Sequence, residues 1–132
     1  METLLWASLI SVLAAVQVLV LGFLVGQGRA TYGVPAPAMS GHPDWERLNR
    51  AHQNSLEQLV LFLPLFNAYL FSAGIQTGIA AGILFLIARI LYAVGYIRDA
   101  KRREIGAWLT AAAQVWLGVG ALVGLIVKIA RS

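Results

Sequence analysis

This sequence predicts an all-α membrane protein, a single domain over residues 1–132 built as a bundle of four transmembrane helices. Three observations carry that reading. Hydrophobic residues make up 59% of the chain and charged residues only 12%, with a mean hydropathy of +0.74, which leaves too little polar surface to wrap a soluble domain. Two uncharged runs, Leu4–Gly26 and Ile105–Val127, each exceed the ~20 residues that a bilayer core requires. The charges that remain mostly border apolar segments and form no soluble charged face.

The first span, Leu4–Gly26, is interrupted only by Ser8, Ser11 and Gln17. Met1-Glu2-Thr3 before it has no basic residue, and the apolar run outlasts the ~7–15-residue core of a secretory signal, so it reads as a retained helix. Between residues 28 and 43, Gly28, Gly33, Pro35, Pro37, Gly41 and Pro43 mark the one substantial loop. The second helix covers Trp45–Ala73 and is entered through Pro43, suited to a first helical position. Asp44 and Glu46 follow where the helix dipole favours negative charge, so the first turns project from the membrane. The third span, Gln76–Ile97, carries an intramembrane Arg89, and the fourth, Ile105–Val127, has Thr110 and Gln114 as its main polar members.

Arg29, Arg47, Arg50, Arg98, Lys101, Arg102 and Arg103 lie on the side of the first and third loops, against Lys128 and Arg131 on the other. The positive-inside rule therefore places those loops in the cytoplasm and both termini outside. The net charge of +4 does not indicate nucleic acid, because the basic residues border apolar spans. Anionic headgroups or a small anionic ligand are better partners. The absence of cysteine excludes a disulfide scaffold and a protein thiol nucleophile, so any sulfur must arrive with a ligand. His42 and His52 lack acidic or cysteine partners at ligand spacing, and no metal site is expected.

Two polar stripes bear on function. Arg47, Arg50, Asn54 and Glu57 are spaced three, four and three residues apart, and so share a helical face. Arg89, Tyr92, Tyr96, Asp99 and Arg103 share another if the third helix continues that far. Both reach the same membrane edge, where they can form a cleft for a charged molecule beside an apolar phase. The same residues have plainer readings: an Arg50–Glu57 ion pair locking helices, an aromatic belt for Tyr92 and Tyr96, and topogenic charge for Lys101, Arg102 and Arg103. Arg89 reads as structural, paired with Glu57 or snorkelling. Gly22 and Gly26, Gly74, Gly78 and Gly82, and Gly120 and Gly124 permit close helix approach.

The segment Arg50-Ala51-His52-Gln53-Asn54-Ser55-Leu56-Glu57 with its aliphatic continuation, and Ala88-Arg89-Ile90-Leu91-Tyr92-Ala93-Val94-Gly95-Tyr96, resemble the MAPEG family, membrane-associated proteins in eicosanoid and glutathione metabolism. The resemblance spans nearly the whole chain. It implies a homotrimer of four-helix subunits, with glutathione as bound co-substrate between neighbouring subunits at the cytoplasmic side. It further implies that Arg29, Arg50, His52, Asn54, Glu57, Tyr92 and Tyr96 would meet the tripeptide, while Arg103 would face its thiol as the catalytic residue. A cation there lowers a thiol pKa and enriches the nucleophilic thiolate. The implied activity is a glutathione transferase or peroxidase acting on a lipophilic substrate, from a bacterial inner-membrane protein whose active site faces the cytoplasm. A non-catalytic lipid-binding or scaffolding protein of the same fold is the alternative, countered by the complete set Arg50, Asn54, Glu57, Tyr96 and Arg103. A small multidrug exporter would carry an acidic residue in its first helix, and Leu4–Gly26 has none.

Overall fold

The computed structural model describes all 132 residues and shows four long helices: α1 Glu2–Tyr32, α2 Pro43–Ser72, α3 Ile75–Arg98 and α4 Glu104–Ala130, with a 3₁₀ turn over Ala100–Arg103 between the last two. Each long helix is apolar and long enough to cross a bilayer, so the chain is an integral membrane protein. In the bundle α1 packs on α2 and α3, and α4 packs on the same two helices.

The first helix outruns its expected end at Gly26, passing through Gly28 and Arg29 to Tyr32 before Gly33 closes it in the left-handed conformation at φ 66°. Gly28 was expected to open the loop. Instead it serves close packing, since a Cβ there would lie 3.1 Å from the Trp45 ring and 3.3 Å from Leu48. Trp45 is fully buried and donates its indole N–H to the Val25 carbonyl at 3.1 Å, which ties the start of α2 to the end of α1. The entry to α2 follows the sequence reading. Pro43 is the first helical residue, the His42 Nδ1 accepts from the Asp44 N–H at 3.2 Å, and the Glu46 carboxylate accepts from the Gly41 N–H at 2.9 Å.

The core is aromatic. Phe62, Phe66 and Phe85 are all but completely buried, and the rings of Phe62 and Phe85 stack at 3.9 Å between centroids. Glycines bring the other helices onto this block. A Cβ at Gly82 would meet Ile10 and Phe66 at 2.9 Å, and one at Gly124 would meet Ser72 at 2.8 Å. At Gly106 it would overlap the Tyr92 backbone, so α3 and α4 touch main chain to main chain at that point. Interiors resist added volume, and inserting one methyl typically costs ~1–3 kcal/mol. Gly106→Ala is expected to lower the thermal midpoint in detergent by several degrees, read by thermal unfolding, whereas Gly26→Ala, inside α1 where nothing lies within 4 Å of the added carbon, should hold or raise it.

The third helix ends at Arg98, one residue past its expected end at Ile97, so the condition under which Asp99 and Arg103 would share its polar face is not met. Asp99 adopts an extended conformation and its carboxylate accepts from the Lys101 N–H at 3.1 Å, turning the chain into the 3₁₀ segment. A Cβ at Gly95 would overlap the Arg102 carbonyl, so only glycine lets this turn fold back against α3. That fold-back positions Arg103.

Candidate functional site

Arg50, Asn54 and Glu57 emerge from α2 on one face. An Arg50 Nη1 lies 3.3 Å from Glu57 Oε1, and the Asn54 Nδ2 donates to Glu57 Oε2 at 3.4 Å. Arg50 and Glu57 side chains remain about half exposed, at 50% and 55%. From α3, Tyr92 and Tyr96 stack at 5.8 Å between centroids, and the guanidinium of Arg103 sits 5.0 Å over the Tyr96 ring. The two stripes thus meet through the 3₁₀ turn and without a continuous helix.

Arg89 joins them from below. Of its two sequence readings, pairing with Glu57 or snorkelling, the first is not seen; its Nη2 donates to Asn54 Oδ1 at 2.9 Å and Ser55 Oγ at 2.8 Å, and its Nη1 to Thr110 Oγ1 at 3.4 Å. Its guanidinium also lies 4.3 Å over the Tyr92 ring. Only 4% exposed, it is a buried cation held by neutral partners. Its bond to Oδ1 sets the orientation of the Asn54 amide, with the carbonyl oxygen toward Arg89 and the NH₂ toward Glu57.

A cavity of about 340 Å³ between α2, α3 and α4 is lined by Arg50, Asn54, Gln58, Arg89, Tyr92 and Arg103, with Thr110, Ala107 and Ala111 forming the α4 wall; Glu57 and Tyr96 lie outside this lining. Three guanidiniums therefore line a space that no carboxylate lines, and the Glu57 carboxylate is shared between Arg50 and Asn54. Arg98 and Arg102 line a different hollow with Ile90, Leu91, Val94 and Ile105, so of the three loop arginines only Arg103 borders the polar cavity. The α4 wall was not anticipated from sequence. Its signal was Thr110, with Gln114 one of the two main polar residues of the span, and one helical turn from the glycine at 106 that lets α4 approach.

Arg29 and His52 lie apart from this cavity within the protomer. Arg29 donates to the Ala38 carbonyl at 2.7 Å and the Val34 carbonyl at 3.4 Å, and stacks 4.5 Å over Trp45, so it organises the first loop. His52 turns to α1, where its Nε2 lies 3.2 Å from the position a Cβ on Gly22 would take. Arg47, read as part of the functional stripe, pairs with Asp44 and donates to the Ile97 carbonyl at 3.2 Å, pinning α2 to the end of α3.

A four-helix membrane bundle with a cation-rich cleft at one edge defines a class, and the sequence comparisons identify it. The MAPEG family model matches residues 7–123, and the chain belongs to that family. It is similar to an uncharacterized protein of Synechocystis sp., 44% identical over 125 residues that cover 93% of this chain and 90% of that one. Microsomal glutathione S-transferase 2 of Bos taurus is 35% identical over 121 residues, covering 89% and 80% of the two chains. Leukotriene C4 synthase of Rattus norvegicus is 41% identical over 104 residues, covering 75% and 66%.

Proposed function

We infer that the protein is a membrane-bound glutathione-dependent transferase that joins the tripeptide's sulfur to a lipophilic electrophile, or a glutathione peroxidase in which two glutathiones reduce a lipophilic hydroperoxide to its alcohol and water and leave as the disulfide. The observation that carries this reading is the charge imbalance of the polar cavity: three guanidiniums line it, and with Glu57 paired to Arg50 two positive charges stay uncompensated. Glutathione with its thiol ionised has two carboxylates, one thiolate and one ammonium, a net charge that balances the site. Its zwitterionic end suits the half-exposed Arg50–Glu57 pair, where a carboxylate can replace Glu57 on Arg50 while the ammonium replaces Arg50 on Glu57. Asn54 and the tyrosine hydroxyls supply neutral donors, and Arg103 is the cation we place beside the sulfur. The name of the bovine relative, a microsomal glutathione S-transferase, supports the same co-substrate.

The placement of Arg29 and His52 fits a homotrimer in which each serves a neighbour's cleft. Incubating the detergent-purified protein with a panel of small thiols tests both points. Glutathione should raise the thermal midpoint, as any ligand of the native state does, and native mass spectrometry should show a trimer. No stabilisation by glutathione at saturating concentration would sink the function. A monomer that binds the tripeptide normally would sink the intersubunit arrangement.

Orientation follows from charge. With seven basic residues on the side of the first and third loops and two on the other, the cleft is proposed to face the cytoplasm of a bacterial inner membrane. Cysteines introduced singly at Met39 and at Ser132 should label from opposite sides with an impermeant reagent. Labelling of both from one side would refute this topology.

A further inference from the structure

We propose that the hollow between the end of α3, the 3₁₀ turn and the start of α4 is a binding site for an anionic phospholipid, with its phosphate on Arg98 and Arg102 and one acyl chain laid along the outer face of α3. The site shares no residue with the polar cavity and assumes nothing about thiol chemistry. The hollow encloses about 280 Å³ and, apart from the two arginines, is lined only by Ile90, Leu91, Val94, Gly95 and Ile105.

The two cations set this hollow apart. Arg29, Arg47, Arg50, Arg89 and Arg103 each reach a carbonyl, a carboxylate, a neutral side chain or a ring of the same protomer. The side chains of Arg98 and Arg102 reach none, although Asp99 and Glu104 stand close by in the chain. Asp99 turns its carboxylate to the Lys101 N–H, and neither acid forms an ion pair. Two guanidiniums in one hollow without an acid repel each other. A phosphate between them removes that repulsion and accepts charge-assisted hydrogen bonds from both.

The apolar lining decides which phosphate. Ile83, Ile87, Ile90, Val94 and Arg98 are spaced four, three, four and four residues apart, so an outward stripe of α3 ends on the cation. Its aliphatic members are each about half exposed, from 45% to 53%. From Ile83 to Arg98 the stripe runs about 22 Å, more than the ~15 Å of hydrocarbon in one leaflet. Arg98 is the last residue of α3, and Trp108, 76% exposed near the start of α4, marks the same edge as the level where aromatic side chains meet headgroups. A lipid phosphate stands at that level with its chains directed down the stripe, and clustered basic residues at a membrane edge attract acidic headgroups. A free phosphate would use the arginines and leave the stripe uncovered.

The test is native mass spectrometry of the detergent-purified protein with dioleoylphosphatidylglycerol and dioleoylphosphatidylcholine, which share their chains and differ in charge. The anionic lipid should be retained about tenfold more tightly, the order expected of two basic side chains at a membrane surface. Arg98→Gln with Arg102→Gln should erase that preference and leave the thermal midpoint unchanged. Five of the seven basic residues on that side then remain to set topology. Lys101→Gln with Arg131→Gln removes as much charge outside the hollow and should keep the preference. In nanodiscs, phosphatidylglycerol with a diazirine midway along one chain should crosslink to residues 83–94. Equal retention of the two lipids, equal loss in both double variants, or crosslinks confined to other faces would overturn the proposal. Displacement of the anionic lipid by millimolar inorganic phosphate would assign the arginines to a soluble anion instead, and a lower oligomer mass in Arg98→Gln with Arg102→Gln would assign the hollow to a second copy.

Discussion

Arg103→Leu is expected to lower the conjugation of a generic electrophile at pH 7 by about ten- to a hundredfold while glutathione affinity stays within a few fold. The guanidinium borders the polar cavity and is held over Tyr96 at 5.0 Å, so its removal leaves the rest of the lining in place. A cation beside sulfur stabilises thiolate over thiol and depresses the bound thiol's pKa below the ~8.5 of an ordinary thiol. The sign of the pH effect follows. In the parent the rate should level off once pH passes the depressed pKa; in the variant it should keep rising toward the free thiol's value. The ultraviolet thiolate absorbance of the bound tripeptide, titrated in both proteins, reads this directly. Arg102→Leu is the matched control, because Arg102 lines the other hollow. A raised thiol pKa in the Arg102 variant with an unchanged one in Arg103→Leu would move the role by one residue, and no change in either would remove it from the turn.

Arg50→Leu should act on binding. Loss of a charge-assisted hydrogen bond to a carboxylate is worth ~1.5–3 kcal/mol, so glutathione should bind about ten- to a hundredfold more weakly by calorimetry. Stability without ligand should change little, since half-exposed ion pairs contribute ~0–1 kcal/mol. If Arg50 and Glu57 only locked helices together, the pattern would reverse: a lower thermal midpoint in the apo protein and normal affinity in what remains folded.

What the sequence made legible were features governed by local chemistry. The apolar runs specify the four helices, and Pro43, Asp44 and Glu46 mark the start of α2 because helix ends obey capping and dipole rules that act over one turn. The end of α1 was hidden because Gly28 looks the same whether it makes a turn or admits the Trp45 ring. Spacing brought Arg50, Asn54 and Glu57 to one face, but it could not show that Arg89 takes up the Asn54 carbonyl 35 positions away, or that Thr110 stands behind it. Those are contacts between helices, and periodicity along one helix carries no record of them. The routing of Arg29 into its own loop was equally invisible, since the carbonyls of Val34 and Ala38 are backbone groups that any residue could present.

Glycine at 78, 82, 106, 120 and 124 is spent inside the protomer, each against a side chain or main chain of the same bundle. The outward faces of α1 and α4 are by contrast covered with large, interchangeable side chains such as Leu19, Phe23, Trp108 and Leu122. Change is therefore unevenly priced over this molecule. The interior admits almost no added atom, whereas the perimeter can trade one bulky apolar residue for another at little cost. A lineage built on this scaffold is free to explore new lipids and new neighbours at its rim while the polar cavity stays the same shape.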